Sequence, residues 1–393
     1  MRVLRLLFPL CLLGLACTSD GLGPVTPGRY ASVTGGFLYS CGFTTEGVGT
    51  CWGDNATGQG GNGVVSTIDS APTPIHGLLV FKQIDAGVGH TCGLVPDGRA
   101  YCWGVSNDGA LGSDTTTQSA LPTPVAGGLT FKEISAGDNS TCALTTAGVA
   151  YCWGANDFGQ LGRVSASTQT PVAVETNLKF TKIAVGQYYA CAIAVGGAAY
   201  CWGSNTYGNL GTTDTTTHAG PRLVAGGLHF RSIAAASFHS CAVTTSSDAY
   251  CWGAGILGIL GNGSKDNQPT PVLVSGSHQF VDISVGVNHS CGLAAGGQLF
   301  CWGSNEAAQL AGSSTESCTN NGIDFFSCTS TPIAAAASHE FRSISAGAFH
   351  TCAIASAGGA FCWGGNSRGA IGNGVTGGMV GAPFQVPEPP SID

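Results

Sequence analysis

The chain has 393 residues, with 14 Lys or Arg against 22 Asp or Glu, and a formal net charge of −8 at pH 7. Charged residues make up only 9% of the sequence and form no basic run, which disfavours binding to nucleic acid or to an anionic membrane through a positive patch. The 62 glycines do not indicate disorder, because aliphatic and aromatic residues recur at regular positions between them.

The N-terminus predicts a signal peptide over residues 1–16. Two arginines precede an apolar stretch that is too short to span a membrane. The stretch ends in Leu-Gly-Leu-Ala-Cys at 13–17, which is similar to a bacterial lipobox with Cys17 as the lipidated residue. A signal peptide that is simply cleaved, releasing a secreted protein, is the alternative. Residues 17–28 then form a predicted flexible tether.

After the tether, the tripeptide Cys-Trp-Gly occurs seven times, each time with another cysteine ten positions upstream. A period near 50 residues predicts one supersecondary unit copied around a ring or along a solenoid. The pairs are Cys41 with Cys51, Cys92 with Cys102, Cys142 with Cys152, Cys191 with Cys201, Cys241 with Cys251, Cys291 with Cys301, and Cys352 with Cys362.

The sequence pattern of each unit predicts four short strands and almost no helix. It opens on Phe-x-x-Ile-x-Ala/Val-Gly, as at residues 81–87, and passes through Tyr-Cys-Trp-Gly and a Gly/Asn-rich loop to a Pro-bearing extended segment, as at 122–125. A lone four-stranded sheet with two apolar faces cannot bury both of them, whereas sheets arranged around an axis can. We therefore predict an all-β, seven-bladed β-propeller of four-stranded blades.

The cysteine spacing predicts one disulfide within each unit. In six of the seven units a glycine follows the first cysteine by six residues, and Ser247 takes that place in the other. A three-residue hairpin loop favours glycine at its third position. With Pro96, Asp97 and Gly98 as the loop, Cys92 falls opposite Cys102 in a non-hydrogen-bonded pair, where a disulfide can join the strands.

Four cysteines remain outside the seven pairs. We expect Cys11 to leave with the signal peptide, Cys17 to be lipidated, and Cys318 and Cys328 to form an eighth bridge. Such cysteine usage is typical of an oxidising compartment, so we predict an exported protein of the bacterial cell envelope, at the outer membrane or cell surface.

The propeller is predicted to span residues 29–387, with a tail at 388–393. The last Pro-bearing segment, 383–387, has no following repeat to join. We therefore expect this C-terminal strand to complete the blade begun by residues 30–60 and so to close the ring.

The unit Gly-x-x-His-Thr/Ser, followed by Tyr-x-Trp-Gly-x-Asn-x-x-Gly-Gln-Leu-Gly, resembles the regulator-of-chromosome-condensation repeat, as at residues 87–112, 137–162 and 186–211. The resemblance covers roughly residues 29–387 and implies a seven-bladed propeller. A kelch propeller has a similar period, but the Gly-Gly and Tyr/Trp order of that motif is missing. The founding member is a nuclear exchange factor for a small GTPase, whereas a secreted bacterial relative inhibits β-lactamase. Exported members are thus expected to be protein-binding scaffolds.

Two departures from the repeat are candidate partner-binding sites. Unit six carries an insertion at 313–330 that holds Cys318, Cys328 and an apolar run. A bridged loop with apolar residues is pre-organised for recognition, although these residues could equally pack onto the propeller surface. The loop after each Trp-Gly also varies between units. The candidates are Ile323, Phe325, Phe326, Ile256, Leu257, Phe158 and Tyr207.

The polar residues that recur between units do not indicate a catalytic or metal-binding site. His90, His239, His289 and His350 share one repeat position, but Tyr and Ser fill it in other units, which favours a structural role over a metal site. We expect each to satisfy the backbone of its own loop. Lys82, Lys132, Arg231 and Arg342 share another position and are expected to form a solvated face. We predict no catalytic residue, metal or cofactor.

The sequence as a whole predicts a lipid-anchored scaffold that binds a protein partner and contacts the membrane only through its N-terminal lipid. A carbohydrate-binding propeller is the main alternative, because Phe158 and Tyr207 could stack on sugars. Guanine-nucleotide exchange by family analogy, or a lyase or hydrolase in the central funnel, is less favoured.

Overall fold

In the computed structural model, each sequence unit forms one antiparallel sheet, and seven sheets make a ring. The structure describes residues 29–114, 117–314, 316–320 and 324–389, with the backbone alone at 319–320 and 324–326. The predicted all-β, seven-bladed propeller is confirmed. Within these ranges two 3-10 turns accompany the strands, Asn107–Gly109 and Ile256–Gly258.

Blades one to four each contain four strands in chain order. Their bounds are Tyr30–Gly35, Tyr39–Thr44, Gly49–Asp54 and Ile68–Pro74 in blade one; Gln83–Ala86, His90–Leu94, Ala100–Val105 and Gln118–Pro124 in blade two; Phe131–Ala136, Ser140–Thr145, Ala150–Gly154 and Thr168–Ala173 in blade three; and Phe180–Val185, Tyr189–Ala194, Ala199–Gly203 and His218–Leu223 in blade four.

Blades five and seven follow the same plan, whereas blade six has five strands. The bounds are Phe230–Ala235, His239–Thr244, Ala249–Gly253 and Gln268–Leu273 in blade five; Phe280–Val285, His289–Ala294, Leu299–Ser304, Glu316–Asn320 and Asp324–Ala335 in blade six; and Phe341–Ala346, His350–Ala355, Ala360–Gly365 and Met379–Gln385 in blade seven. The strand Glu316–Asn320 pairs with the start of Asp324–Ala335, so the insertion adds a hairpin to the outer edge of blade six.

The first strand of each blade lines a central channel and the fourth lies at the perimeter. Because successive strands are antiparallel, the connections alternate between two surfaces. We call "loop face" the surface formed by the connections from strand one to two and from strand three to four. We call "base face" the surface formed by the two-to-three hairpins and the connections between blades.

The predicted hairpin register is confirmed. Cys92 lies opposite Cys102 and Leu94 opposite Ala100. Gly98 has φ of +89° at the third loop position, a conformation that favours glycine, and Ser247 adopts φ of +74° at the equivalent place.

All eight predicted disulfides are present in the structure. The seven blade disulfides join the second strand to the third, with Cα atoms 4.0–4.1 Å apart. They are Cys41 to Cys51, Cys92 to Cys102, Cys142 to Cys152, Cys191 to Cys201, Cys241 to Cys251, Cys291 to Cys301, and Cys352 to Cys362. The eighth bridge, Cys318 to Cys328, lies within the added hairpin and has a Cα separation of 5.9 Å. Each blade is therefore cross-linked within itself, and no bridge among the described residues joins two blades.

The core lies between neighbouring blades, and the repeat tryptophan forms its centre. Each of the seven Trp side chains is at most 1% exposed. Trp103 Nε1 donates a hydrogen bond of 2.9 Å to the Gln59 carbonyl of the preceding blade, and the other six make the same bond to the blade before them. The same geometry at every step of the ring thus satisfies a buried donor while packing apolar surface.

The predicted ring closure is wrong in one respect. The C-terminal strand Met379–Gln385 pairs with Ala360–Gly365 of its own blade, with Cys362 opposite Phe384. Blade one already has its own outer strand, Ile68–Pro74, so its edge offers no vacant place for a C-terminal strand. Contacts between complete blades close the ring instead, including a 2.9 Å hydrogen bond from Trp52 Nε1 to the Ala370 carbonyl.

Candidate functional site: the loop face

The recurring histidines join neighbouring blades. His90 Nε2 lies 2.8 Å from Thr141 Oγ1 of the next blade, and His239, His289 and His350 make the equivalent contact to Ser290, Thr351 and Ser40 at 2.7–2.9 Å. Tyr39 and Tyr189 use their hydroxyls in the same way. Our expectation that each residue serves its own loop backbone is therefore corrected, because the partner is a hydroxyl of the following blade.

Burial also holds these four imidazoles in the neutral form. Desolvation lowers the pKa of His90 and His350 to about 4 and that of His239 and His289 to about 3. Over the part of the chain that the structure describes, no group of three or more His, Cys, Asp or Glu side chains is placed to hold a metal ion.

Carboxylates in the central channel bind the neighbouring blade. Asp85 accepts a 2.8 Å hydrogen bond from the Ala136 amide and a 3.3 Å bond from Thr34 Oγ1. Glu133 accepts from the Ile183 amide at 3.3 Å and lies 3.8 Å from Lys182 Nζ. Burial raises the pKa of both carboxyls. Because both carboxylates bond to backbone amides of the next blade, they connect neighbouring blades and do not form a convergent acid–base pair.

Asparagine side chains fix the loop face. Asn205 Oδ1 accepts from the Leu210 amide at 2.9 Å, and its Nδ2 donates to the Asp214 carbonyl at 2.8 Å. Asn156 makes the same bonds in blade three, where Gln160 Oε1 also accepts from the Phe158 amide at 3.0 Å. The side chains on these loops are consequently displayed from a backbone that is already ordered.

An apolar strip crosses the loop face over blades three, four and five. Phe158 packs on Tyr188 with ring centroids 5.1 Å apart, and Tyr207 packs edge-on to Phe238 at 5.4 Å. Phe158, Tyr207 and Ile256 are each 40% exposed and Tyr188 is 36% exposed. We call Phe158, Tyr188, Tyr207, Phe238 and Ile256 the apolar arc. Three of its members are predicted partner-binding residues.

Leu257 does not belong to this surface. It is only 8% exposed and clusters with Ile259, Cys318 and Cys328, so the added hairpin of blade six covers it. The equivalent residues Phe158 and Tyr207 have no such cover. The prediction that Leu257 contacts a partner is therefore corrected: Leu257 supports the insertion.

The other candidates, Ile323, Phe325 and Phe326, belong to the inserted segment of the sequence. Ile323 falls outside the described residues, and for Phe325 and Phe326 the structure describes the backbone, which pairs with Thr319 and Cys318. Their predicted contact with a partner remains a prediction.

The loop face is acidic around the arc. Asp108, Asp157 and Glu306 lie on the three-to-four loops, and Asp138 lies at the channel mouth, where burial raises its pKa. In the described residues none of these four takes part in an ion pair, whereas Arg368 on the same face lies 3.8 Å from Asp54. Arg163 and Lys265, on the three-to-four loops of blades three and five, are each paired with a carboxylate, Glu175 and Glu316, so the charge left unpaired beside the arc is negative.

Comparison with known proteins agrees with this architecture. Residues 48–391 match the family described as the RCC1-like domain. This chain belongs to the RCC1-like domain family.

Solved structures show the same fold at low sequence identity. Human WBSCR16 superposes on the RCC1-like chain with a TM-score of 0.76 at 18% identity, over 88% of this chain and 96% of that one. Prp20p from Saccharomyces cerevisiae gives 0.76 at 22% identity, over 91% and 87%. The CRINKLY WD40 ectodomain of the Arabidopsis thaliana receptor kinase ACR4 gives 0.54 at 19%, over 92% and 100%.

Two arc residues of the RCC1-like propeller escape the sequence reasoning. Tyr188 and Phe238 directly precede the second strands, at a position that holds Gly89 and Asn139 in other blades. The residue type at this position varies between units, and the position lies beside the equally variable loop after Trp-Gly. That variation could have identified Tyr188 and Phe238 from the sequence. No helix of the described residues has the length and apolar character of a membrane span.

Proposed function

We propose that this RCC1-like propeller is a scaffold that binds a protein partner through the apolar arc on its loop face. The observation that carries the proposal is the cluster of partly exposed aromatic rings on loops that are fixed by asparagine side chains. Aromatic side chains held on a rigid backbone contribute much of the binding energy at protein interfaces.

The charge around the arc favours a basic partner surface. Asp138 and Asp157 lie on the blade that contributes Phe158, and Glu306 lies on the blade beside Ile256. Unpaired negative charge beside an apolar surface steers cationic partners and disfavours acidic ones. Binding should accordingly weaken as salt concentration rises.

The fold family supports a protein as the class of partner. The structure of Prp20p is described together with the binding of that protein to Gsp1p and histones, and a second yeast structure shows Kap60 bound to the same protein. Those partners are properties of Prp20p. For the present chain they support only the general use of an RCC1-like propeller as a protein-binding platform.

The eight disulfides indicate an extracellular or exported protein. The ectodomain of a plant receptor kinase in the comparison has a related propeller outside a cell membrane. We place the partner at the bacterial cell envelope, where the lipid on Cys17 would hold the propeller through the 17–28 tether.

Replacing Phe158 and Tyr207 together with Ala should weaken partner capture at least about tenfold, because each ring has the size and exposure of an interface anchor. The measurement is quantitative cross-linking and affinity capture from intact cells with wild-type and variant protein. Val195→Ser is the matched control, since Val195 is 71% exposed but lies on the base face. Equal capture by the arc variant and wild type would remove the arc from the proposal.

Substitution of Cys17 by Ala should abolish lipid attachment. Cells fed radiolabelled palmitate should label the wild-type protein and leave the variant unlabelled, while the propeller is still exported. Label that persists on the variant would contradict the anchor and favour a signal peptide that is simply cleaved.

A carbohydrate ligand is the second candidate, because Phe158 and Tyr207 each present part of a ring to solvent. Neutral sugars stack on such rings without requiring the acidic surroundings. A glycan array separates the two proposals, since glycan binding that is insensitive to salt and lost in the arc variant would favour the carbohydrate.

A further inference from the structure

The outer strand of every blade carries a proline at one equivalent position, directly before the residue that lies opposite the second cysteine of the blade. An outer strand exposes backbone groups that can pair with another chain, and proline removes one of the exposed donors. The residues are Pro72, Pro122, Pro171, Pro221, Pro271, Pro332 and Pro383.

The hydrogen bonds show that this proline faces outward. Val125 N donates to the Ala100 carbonyl of the third strand at 2.9 Å, so residues 123 and 125 direct their amides inward and Pro122 and Pro124 face the perimeter. The same pattern holds in blade one, where Ile75 N donates to the Gly49 carbonyl. The repeat therefore guards each of its own perimeter edges against strand addition.

The added strand Glu316–Asn320 does not follow this rule. It forms the outer edge of blade six next to the loop face, and its sequence, Glu-Ser-Cys-Thr-Asn, contains no proline. Its one acidic side chain is also turned away from the edge: Glu316 accepts from Ser330 N at 3.0 Å and lies 3.2 Å from Lys265 Nζ.

The register identifies which backbone groups of this strand are free. Asn305 N donates to the Ser327 carbonyl at 2.7 Å, so residue 327 faces the third strand and its neighbours 326 and 328 face Glu316–Asn320. Residues 328 and 326 pair with Glu316 and Cys318, which direct their own backbone groups inward. Ser317 and Thr319 therefore present their N–H and C=O groups to the open edge.

We propose that an extended segment of the protein partner adds as a further strand on this edge of blade six. The inference deepens the proposed function, on which it rests. The inner face of the added hairpin packs on Leu257, directly after Ile256 of the apolar arc, so one partner can reach both features. Backbone pairing supplies affinity and the arc supplies side-chain contacts, as in other cases of β-strand addition.

A partner segment fits the edge better than a second copy of this chain. Pairing of two Glu316–Asn320 strands around a two-fold axis would bury far less than the roughly 1,000 Å² that a stable interface requires. A partner that also covers the arc reaches a larger area. A dimer whose formation requires the open edge is nevertheless an outcome that would overturn the proposal.

The test uses a phage-displayed library of random peptides of about twelve residues, selected on the intact, disulfide-bonded protein. We expect selected peptides to slow hydrogen exchange of the Ser317 and Thr319 amides. Ser317→Pro removes one outward N–H without touching the inward ladder and should weaken these peptides about tenfold or more. Ser317→Ala keeps the N–H and should bind as wild type does.

A measurement on the unaltered protein guards against misfolding of the proline variant. Peptides N-methylated at alternate amides should lose binding in one register and retain it in the other, because only every second amide of an added strand faces the edge. The proposal is overturned if Ser317→Pro, with the Cys318 to Cys328 bridge still formed, binds the peptides as tightly as wild type. Failure of the library to yield peptides that protect this edge overturns it as well.

The experiments can contradict the added strand and the proposed function independently of each other. Loss of partner capture in the Phe158→Ala, Tyr207→Ala variant with unchanged capture by Ser317→Pro would retain the proposed function and sink the added strand. Unchanged capture by the arc variant would overturn the proposed function itself, regardless of whether the selected peptides bind the edge.

Discussion

Lowering the pH from 7 to 5 should remove about 8 kcal/mol of stability through the four buried histidines alone, roughly 2 kcal/mol for each of them. The reason lies in the unfolded chain, where an exposed histidine has a pKa near 6.5 and takes up a proton in this range. In the folded ring the pKa values are about 3 to 4, so His90, His239, His289 and His350 stay neutral.

The sign follows from proton counting. The unfolded state binds more protons than the folded state between pH 6.5 and about 4, so the stabilisation is complete above pH 6.5 and declines as the pH falls. Asp85, Glu133 and Asp138 have raised pKa values and act in the opposite direction as acid is added. Denaturant unfolding at pH 7, 6 and 5 with the disulfides intact measures the net change.

The chain provides its own control for the histidines. Tyr39 and Tyr189 occupy the same repeat position and bond the same hydroxyl of the next blade, at 2.9 Å in both cases. A variant with Tyr at all four histidine positions should keep the inter-blade bonds and lose the acid sensitivity. If its stability fell with pH as steeply as that of wild type, other groups would have to explain the effect.

Reduction of the seven blade disulfides should unfold the protein. Each bridge closes a loop of about 11 residues, which is worth roughly 2–3 kcal/mol in the chain-entropy model. Together they contribute about 15–20 kcal/mol, more than the 5–15 kcal/mol that roughly bounds the stability of a typical domain. Protein reduced in denaturant, alkylated and returned to buffer should show the far-ultraviolet circular dichroism and tryptophan emission of an unfolded chain.

The eighth bridge offers the matched comparison. Cys318 and Cys328 have the same sequence separation of 10 residues but lie in the added hairpin, so removal of their bridge can open that hairpin without opening a blade. The Cys318→Ala, Cys328→Ala variant should therefore stay folded, with its seven tryptophans buried. A fully reduced chain that regained native spectra would show that packing alone holds the ring.

The repeat explains why so much of the fold could be predicted from the sequence. The glycine at position 98 and the spacing of Cys92 and Cys102 specify one hairpin register, and the structure has that register. The sheet to which the C-terminal strand belongs was harder to predict. The repeat pattern marks where each unit begins and ends, but whether the last segment of a unit pairs within its own sheet or with another depends on tertiary packing that the pattern does not contain.

The candidate site could be predicted only in part for a related reason. Phe158, Tyr207 and Ile256 vary within the repeat, and the structure places them on one exposed face. Leu257 varies equally, but its burial depends on a hairpin that begins almost sixty residues later at Glu316. The open edge of that hairpin arises from the pairing partner of each backbone group, which residue types alone do not specify.

Because each blade is built from one uninterrupted stretch of sequence, no strand is shared across the seam between the last blade and the first. The seam has the tryptophan hydrogen bond that recurs at the other six steps, from Trp52 Nε1 to the Ala370 carbonyl at 2.9 Å, and His350 Nε2 lies 2.8 Å from Ser40 Oγ across it. Duplication or deletion of a whole unit in the gene would thus change the number of blades and leave every remaining sheet complete. For the same reason, circular permutants that start at any blade should assemble the same ring.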